Sequence, residues 1–271
     1  MAENKNGKMI VICGAKGGIG KTLVSVNLAI ALSKKNMKVN LLDTDFQFGD
    51  VSLALDLQTT FTIKDVMEEQ NSVDSASVSS YLTEHSSGIH VLPSPERPEY
   101  AELITKEALL SVVDLLRKQS DFLIVDTGVG IHEQSLELIE QADHIFVVTT
   151  LEMTSLKSTR LLLETFDKLG FRKKVKLVVN RYDMESLIQA EEVPEMLGYD
   201  NVIYIPNNFQ IASQSLNLGI PFVVSRSRSN LSKAFYKLAE SIVTNSHVSS
   251  EGKKKQSLRF TFSKKKGGTD Q

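Results

Sequence analysis

Between the apolar run Met9-Ile10-Val11-Ile12-Cys13 and a helical pattern that begins at Thr22 stands the segment Gly14-Ala15-Lys16-Gly17-Gly18-Ile19-Gly20-Lys21. The order strand, glycine-rich loop, helix narrows the folds open to this chain. Glycines at 17, 18 and 20 let the backbone curl tightly and aim successive N–H groups at one point, which suits phosphate oxygens. A helix opening at Lys21 adds the positive end of its dipole. Lys21 stands where it would reach the β and γ phosphates of a nucleoside triphosphate, and Thr22 where its hydroxyl would meet Mg²⁺. Lys16, Gly17, Gly18, Ile19, Gly20, Lys21 and Thr22 therefore predict a triphosphate site, with ATP and Mg²⁺ as its cofactors. The bland reading is a glycine-rich turn, and the Lys-Thr pair and the flanking strand and helix argue against it.

The rest of the chain repeats the alternation. Short β-rich runs at Val39–Leu42, His90–Leu92, Phe122–Val125, Ile145–Val148, Val175–Val179 and Val202–Ile205 are separated by helical patterns, as a parallel sheet with crossover helices requires. The run at Met9–Cys13 is apolar on both faces, which fits a strand covered on both sides. Thr22–Lys34 is apolar nearly all round and predicts a deeply packed helix. Leu231, Ala234, Phe235, Leu238, Ala239 and Ile242 mark one buried helical face, with Ser229 or Asn230 as its N-cap. The expected fold is α/β: a single domain with a mostly parallel twisted sheet of about seven or eight strands and helices on both faces. The apolar pattern stops after Val243, which sets residues 1–245 apart from a basic tail over 246–271 that is expected to be disordered.

Composition removes several classes. The single cysteine, Cys13, excludes an internal disulfide framework and a paired-cysteine metal or redox site, and it reads as a buried, inert thiol. A cluster-bridging reductase on such a fold needs two cysteine ligands per subunit and is excluded too. No apolar run reaches about 18 residues and Met1–Lys8 leads into no signal core, so a cytoplasmic protein is expected. The net charge of -2 hides an acidic body joined to a basic end, where Lys253, Lys254, Lys255, Arg259, Lys264, Lys265 and Lys266 face only Glu251 and Asp270.

Lys16-Gly17-Gly18-Ile19-Gly20-Lys21-Thr22, with Ala15 where the general motif has glycine, resembles the deviant phosphate loop of the MinD/ParA superfamily of ATPases. The other parts follow in order. Asp43-Thr44-Asp45 resembles that family's D-x-D, in which the second aspartate orients the attacking water near the metal. Phe122–Asp126 has the form of the strand whose terminal aspartate, here Asp126, holds Mg²⁺ through water. Thr127-Gly128-Val129-Gly130 occupies the place of the family's D-x-P-A-G switch, with Gly128 where proline is usual and Gly130 placed to donate its N–H to the γ phosphate. Asn180 matches the asparagine that hydrogen-bonds the base, and Ile205-Pro206-Asn207-Asn208 the segment packed on its other side. The resemblance implies an ATP-dependent homodimer in which Lys16 reaches the partner's nucleotide, slow hydrolysis assigned to Lys16, Lys21 and Asp45, and metal contacts from Thr22, Asp45 and Asp126.

Asp45–Val51, Val91-Leu92-Pro93-Ser94-Pro95 and Asn217-Leu218-Gly219-Ile220-Pro221 look most like the pilus-assembly branch, CpaE or TadZ. A protein partner in a pilus, flagellar or division machine is then expected. Leu258, Phe260 and Phe262 lie between lysine triplets, and MinD-type proteins resemble this in docking a C-terminal segment on anionic lipid. The period of two does not make an amphipathic helix, and lipid, nucleic acid or plain solvation all remain open for the tail. The alternatives are a flagellar-number or division-site member of the MinD branch, and a DNA-partitioning ATPase of the ParA type, against which the acidic body argues.

Overall fold

The computed structural model describes residues 6–250, apart from 70–72 and 75, with side chains described as far as Asn245. The chain starts with β1 (Lys8–Cys13), α1 (Lys21–Ser33), β2 (Val39–Thr44), two short helices α2 (Val51–Ala54) and α3 (Ile63–Glu68), β3 (Thr83–Glu84) and β4 (His90–Leu92). Then come α4 (Lys106–Lys118), β5 (Phe122–Thr127), α5 (Glu133–Gln141), β6 (His144–Thr149), α6 (Met153–Lys168) and β7 (Val175–Asn180). Last are α7 (Val193–Leu197), β8 (Val202–Ile205), α8 (Phe209–Leu218), α9 (Phe222–Ser225) and α10 (Asn230–Ser250). Among the described residues eight strands form one sheet in the order β3-β4-β2-β5-β1-β6-β7-β8. Every pairing is parallel except β3 with β4.

Alternation along the strands sends side chains into two separate cores. Met9, Val11 and Cys13 of β1 pack with Leu109, Val113 and Leu116 of α4, Leu138 of α5 and Phe166 of α6. Ile10 and Ile12 pack on the other side with Leu28 and Ile30 of α1 and Phe235 and Ala239 of α10. Both faces of the sheet are covered, so β5 is buried at every position, as the continuous apolar runs require. α1 is buried along most of its length, and its polar Ser25 and Asn27 both hydrogen-bond. Cys13 is buried, and that burial pushes its thiol up to about 12, well away from reactive thiolate.

Two elements differ from the sequence expectation at their margins. β3 is a two-residue antiparallel edge strand that periodicity could not flag. α10 runs to Ser250, past the end of the apolar face, which stops at Ile242 with Val243 packed beside it. Its N-cap is Ser229, whose hydroxyl accepts from the Ser232 N–H at 3.1 Å. The basic run from Lys253 onward lies outside the described residues.

The strand order places the site. From β1 the chain crosses to β2 on one side of the sheet, and from β5 it crosses over β1 to β6 on the other. Such a reversal leaves a crevice beyond the carboxyl ends of the strands, where ligands of open α/β sheets bind. The glycine loop leaves β1 into that crevice. Hydroxyls tie the strand ends beneath it: Thr44 Oγ1 donates to the Asp126 carbonyl at 2.7 Å and Thr127 Oγ1 to the Ile12 carbonyl at 3.0 Å.

Candidate nucleotide site

A pocket of about 370 Å³ opens over the loop, its lining including Gly17, Gly18, Gly20, Lys21, Thr22 and Asp45. Pro206, Phe209, Ala212, Leu216 and Leu231 add apolar lining, and Asn180 and Arg181 line it too. The loop's shape depends on backbone that only glycine adopts freely: Gly20 has φ of +94°, and a Cβ there would sit 2.6 Å from Asn180 Nδ2. That amide donates to the Ile19 carbonyl at 2.8 Å and so ties the loop to the end of β7. The Ile19 side chain is buried in the α1 core, so its contribution to the site is backbone.

Lys21 is only 8 % exposed yet lines the pocket, and no ion pair among the described residues neutralises it. Burying an ammonium without a counter-charge is unfavourable unless an anion arrives with the ligand. Thr22 Oγ1 donates to Asp126 Oδ2 and Ser25 Oγ to Asp126 Oδ1, each at 2.7 Å. Ser25 is a member of this constellation that the motif does not flag, since only the first turn of α1 sets it over Asp126. Burial pushes the Asp126 carboxyl up to about 6 against the pull of those two hydroxyls and of Lys21, with Asp45 adding repulsion.

Asp43 is Asp126's partner in the β2–β5 register and is fully buried. Burial, and then Asp126, hold its carboxyl well above the usual range. Its oxygens accept from the N–H groups of Asp45 at 3.0 Å and Val51 at 3.3 Å and from Ser94 Oγ at 3.2 Å. Asp43 thus pins both ends of the loop that carries Asp45. Asp45 is half-buried at the pocket wall, and a Cβ on Gly128 would lie 3.3 Å from its Oδ1.

The remaining expected residues are spread around this centre. Lys16 is exposed and stands off the pocket. The Gly130 N–H donates to the Gly14 carbonyl at 3.3 Å, so the switch segment lies folded on the loop's base. Pro206 lines the pocket, while Asn208 caps α8 through the Ile211 N–H at 3.0 Å. The apolar wall from α8 and Leu231 was not foreseen; the one signal for it is the asparagine before Phe209, an N-cap residue where no helix was expected.

The Asp126 carboxyl beside the Thr22 hydroxyl, with Asp45 at the pocket wall, fits a divalent cation that shares its shell with a bound ligand. Among the described residues no group of three or more ligating side chains is disposed to hold an ion alone. That suits Mg²⁺, which takes one or two carboxylates and completes its shell with water and substrate phosphates.

A parallel sheet covered on both faces, with a glycine loop and buried lysine at its switch point, defines a phosphate-loop nucleotide hydrolase. Comparison with known proteins gives the family. A family model described as an AAA domain matches residues 7–179. The septum site-determining protein MinD of Thermotoga maritima is 28% identical over 244 residues, covering 87% of this chain and 88% of that protein. The crystal structure of the Pyrococcus furiosus cell division ATPase MinD superposes with a TM-score of 0.78 at 27% identity, over 88% of this chain and 99% of that one. MinD of Pyrococcus horikoshii, solved with Mg-ADP, gives 0.77 at 24% identity, over 88% and 97%. The chain belongs to the AAA domain family of that model and is a member of the MinD/ParA superfamily of ATPases.

Proposed function

We propose that this chain is a dimerising switch that binds ATP with Mg²⁺, hydrolyses it slowly and positions a membrane-associated machine of the pilus-assembly kind. The observation that carries the reading is the buried, unpaired Lys21 beneath the glycine loop, beside a threonine–aspartate pair. Backbone N–H groups of residues 17–22 and the Lys21 ammonium bind the β and γ phosphates. Thr22 and Asp126, with Asp45 beside them, would hold Mg²⁺, which would supply charge neutralisation on the phosphates. Asp45 orients the attacking water, and phosphoryl transfer needs little else from the protein beyond positioning and charge. Asn180 and Pro206 flank the base, and Gly130 turns its N–H from Gly14 to the γ phosphate when ATP is bound.

Lys16, exposed beside the pocket, reaches across to the nucleotide of a second copy and makes ATP part of the interface. Lys16→Ala is expected to retain ATP affinity within about threefold and to lose ATP-dependent dimers in light scattering; dimers that persist would remove the cross-subunit role. Asp45→Ala is expected to lower turnover at least about tenfold and to hold the dimer, by the transition-state arithmetic of lost water positioning. Its mass in solution should double with ATP and stay monomeric with ADP. A mass insensitive to nucleotide would replace the switch with a monomeric or constitutively oligomeric ATPase.

The ATPase domain, set at residues 1–245 from the sequence, extends to Ser250 with α10, and the basic segment after it docks on anionic lipid once two copies are joined. Each basic residue near such a surface contributes on the order of 1 kcal/mol, so pairing two tails matters. Removing residues 251–271 should spare ATPase activity and abolish co-sedimentation with phosphatidylserine vesicles. Equal sedimentation without the tail refutes the lipid role, and salt-sensitive, ATP-dependent binding to random duplex would favour the DNA-partitioning alternative.

A further inference from the structure

Among the described non-glycine residues, Asn36, Asp56 and Arg181 have positive φ. Asn and Asp tolerate this left-handed region because their short polar side chains bond locally, whereas arginine gains nothing from it. A long side chain held in strained backbone persists where the surroundings impose it, and such outliers cluster at ligand sites. Arg181, at φ of +56°, is the residue that follows Asn180 at the end of β7.

The local bonding explains how the conformation is held and where it sends the side chain. Asn180 uses both ends of its amide: Nδ2 donates to the Ile19 carbonyl, and Oδ1 accepts the Arg181 N–H at 3.0 Å. The left-handed turn carries the Arg181 side chain back over the glycine loop, where Nη2 lies 3.4 Å from the Gly18 carbonyl. Arg181 lines the pocket together with Gly17, Gly18, Gly20 and Lys21. No ion pair among the described residues engages its guanidinium, so a permanent charge stands at the rim of a phosphate site without a carboxylate to neutralise it.

We propose that Arg181 is a nucleotide-binding residue whose guanidinium, held over the Gly18 carbonyl, supplies the pocket's second cation to the phosphates. The assignment builds on the ATP site described above. The two cations approach from different elements: Lys21 meets the phosphates from the first turn of α1, and Arg181 closes on them from the end of β7. Guanidinium geometry suits this position, since one N–H can stay on the Gly18 carbonyl while others face phosphate oxygens.

The experiment measures ATP and ADP affinity by titration calorimetry at two salt concentrations for wild type, Arg181→Lys, Arg181→Gln and Arg181→Gly. Glycine accepts positive φ freely, so Arg181→Gly removes the side chain while leaving the backbone turn intact. A charge role predicts at least a tenfold weaker affinity in Arg181→Gln and Arg181→Gly, Arg181→Lys within about threefold of wild type, and a shallower salt dependence in the uncharged variants. If Arg181 only braces Gly18, the glutamine variant, which keeps an N–H donor, matches the lysine variant and the salt dependence does not change; that result overturns the proposal. Wild-type affinity in Arg181→Gly overturns it as well. Wild-type protein that fails to bind ATP would instead refute the ATP site itself, which keeps the two failures distinct.

Discussion

Replacing Lys21 with alanine is expected to weaken ATP binding by about 100-fold or more while leaving the fold intact. The ammonium is buried at the first position of α1, so the contacts proposed for it with the β and γ phosphates would form in a site of low dielectric. Hydrogen bonds to charged groups contribute about 1.5–3 kcal/mol each, and tenfold in affinity is about 1.4 kcal/mol. Two such contacts therefore give the expected loss. The unliganded variant should melt close to wild type, because relief from burying an ammonium with no direct ion pair is offset by the attraction to Asp126 that is lost with it. Calorimetric titration with ATP checks the first claim and a melting curve the second. Undiminished affinity would take the phosphate site away from the loop.

Asp126→Asn is expected to separate stability from function. Moving a carboxyl from 3.8 to about 6 corresponds to roughly 3 kcal/mol, at 1.36 kcal/mol per unit. The sign follows from which state takes the proton first. The folded-state value is raised, so this carboxyl's stabilising contribution is fully present below pH 3.8 and is lost as pH rises through about 6. At pH 7.5 the buried carboxylate therefore burdens the ligand-free protein, and the asparagine variant should melt several degrees higher. The difference should shrink toward pH 4. With ATP and Mg²⁺ the order should reverse, since the variant offers the cation's water shell a neutral amide. Melting curves from pH 4 to 8, with and without Mg-ATP, test both halves; a variant less stable than wild type at pH 7.5 without ligand would contradict the burial argument.

The parts of this site that neighbour one another along the chain were legible from residues alone. A strand apolar on both faces, glycines at fixed offsets and a Lys-Thr pair describe β1, the loop and α1 without reference to the rest of the molecule. Asp126 stood out because it closes the apolar run of β5, where an open parallel sheet presents its chemistry, whereas Asp45 stood out through the likeness of Asp43-Thr44-Asp45 to a family motif; the structure puts Asp45 on the pocket wall. What distance along the chain brings together was harder to see. Ser25 reaches Asp126 only because β1 lies beside β5, and the Asn180 amide meets Ile19 across 161 residues of sequence. Arg181 reads as an ordinary turn residue until its φ is known. The wall built by α8 escaped because that helix leaves Phe209, Leu216 and Leu218 exposed, so its apolar residues trace no buried stripe. β3 escaped because two residues are too few for any period.

Helix α1 has one more consequence. At its start it carries Lys21 and Thr22; two turns on, Asn27 Oδ1 accepts the Val223 N–H at 3.2 Å, and near its end the Lys34 ammonium donates to the Val223 carbonyl at 3.2 Å. Its apolar sides are meanwhile packed against the sheet and α10. The helix that carries the phosphate-loop lysine is thus tied through Val223 to α9 and through its apolar sides to α10, so the end of the chain is fastened to the same rod as the loop.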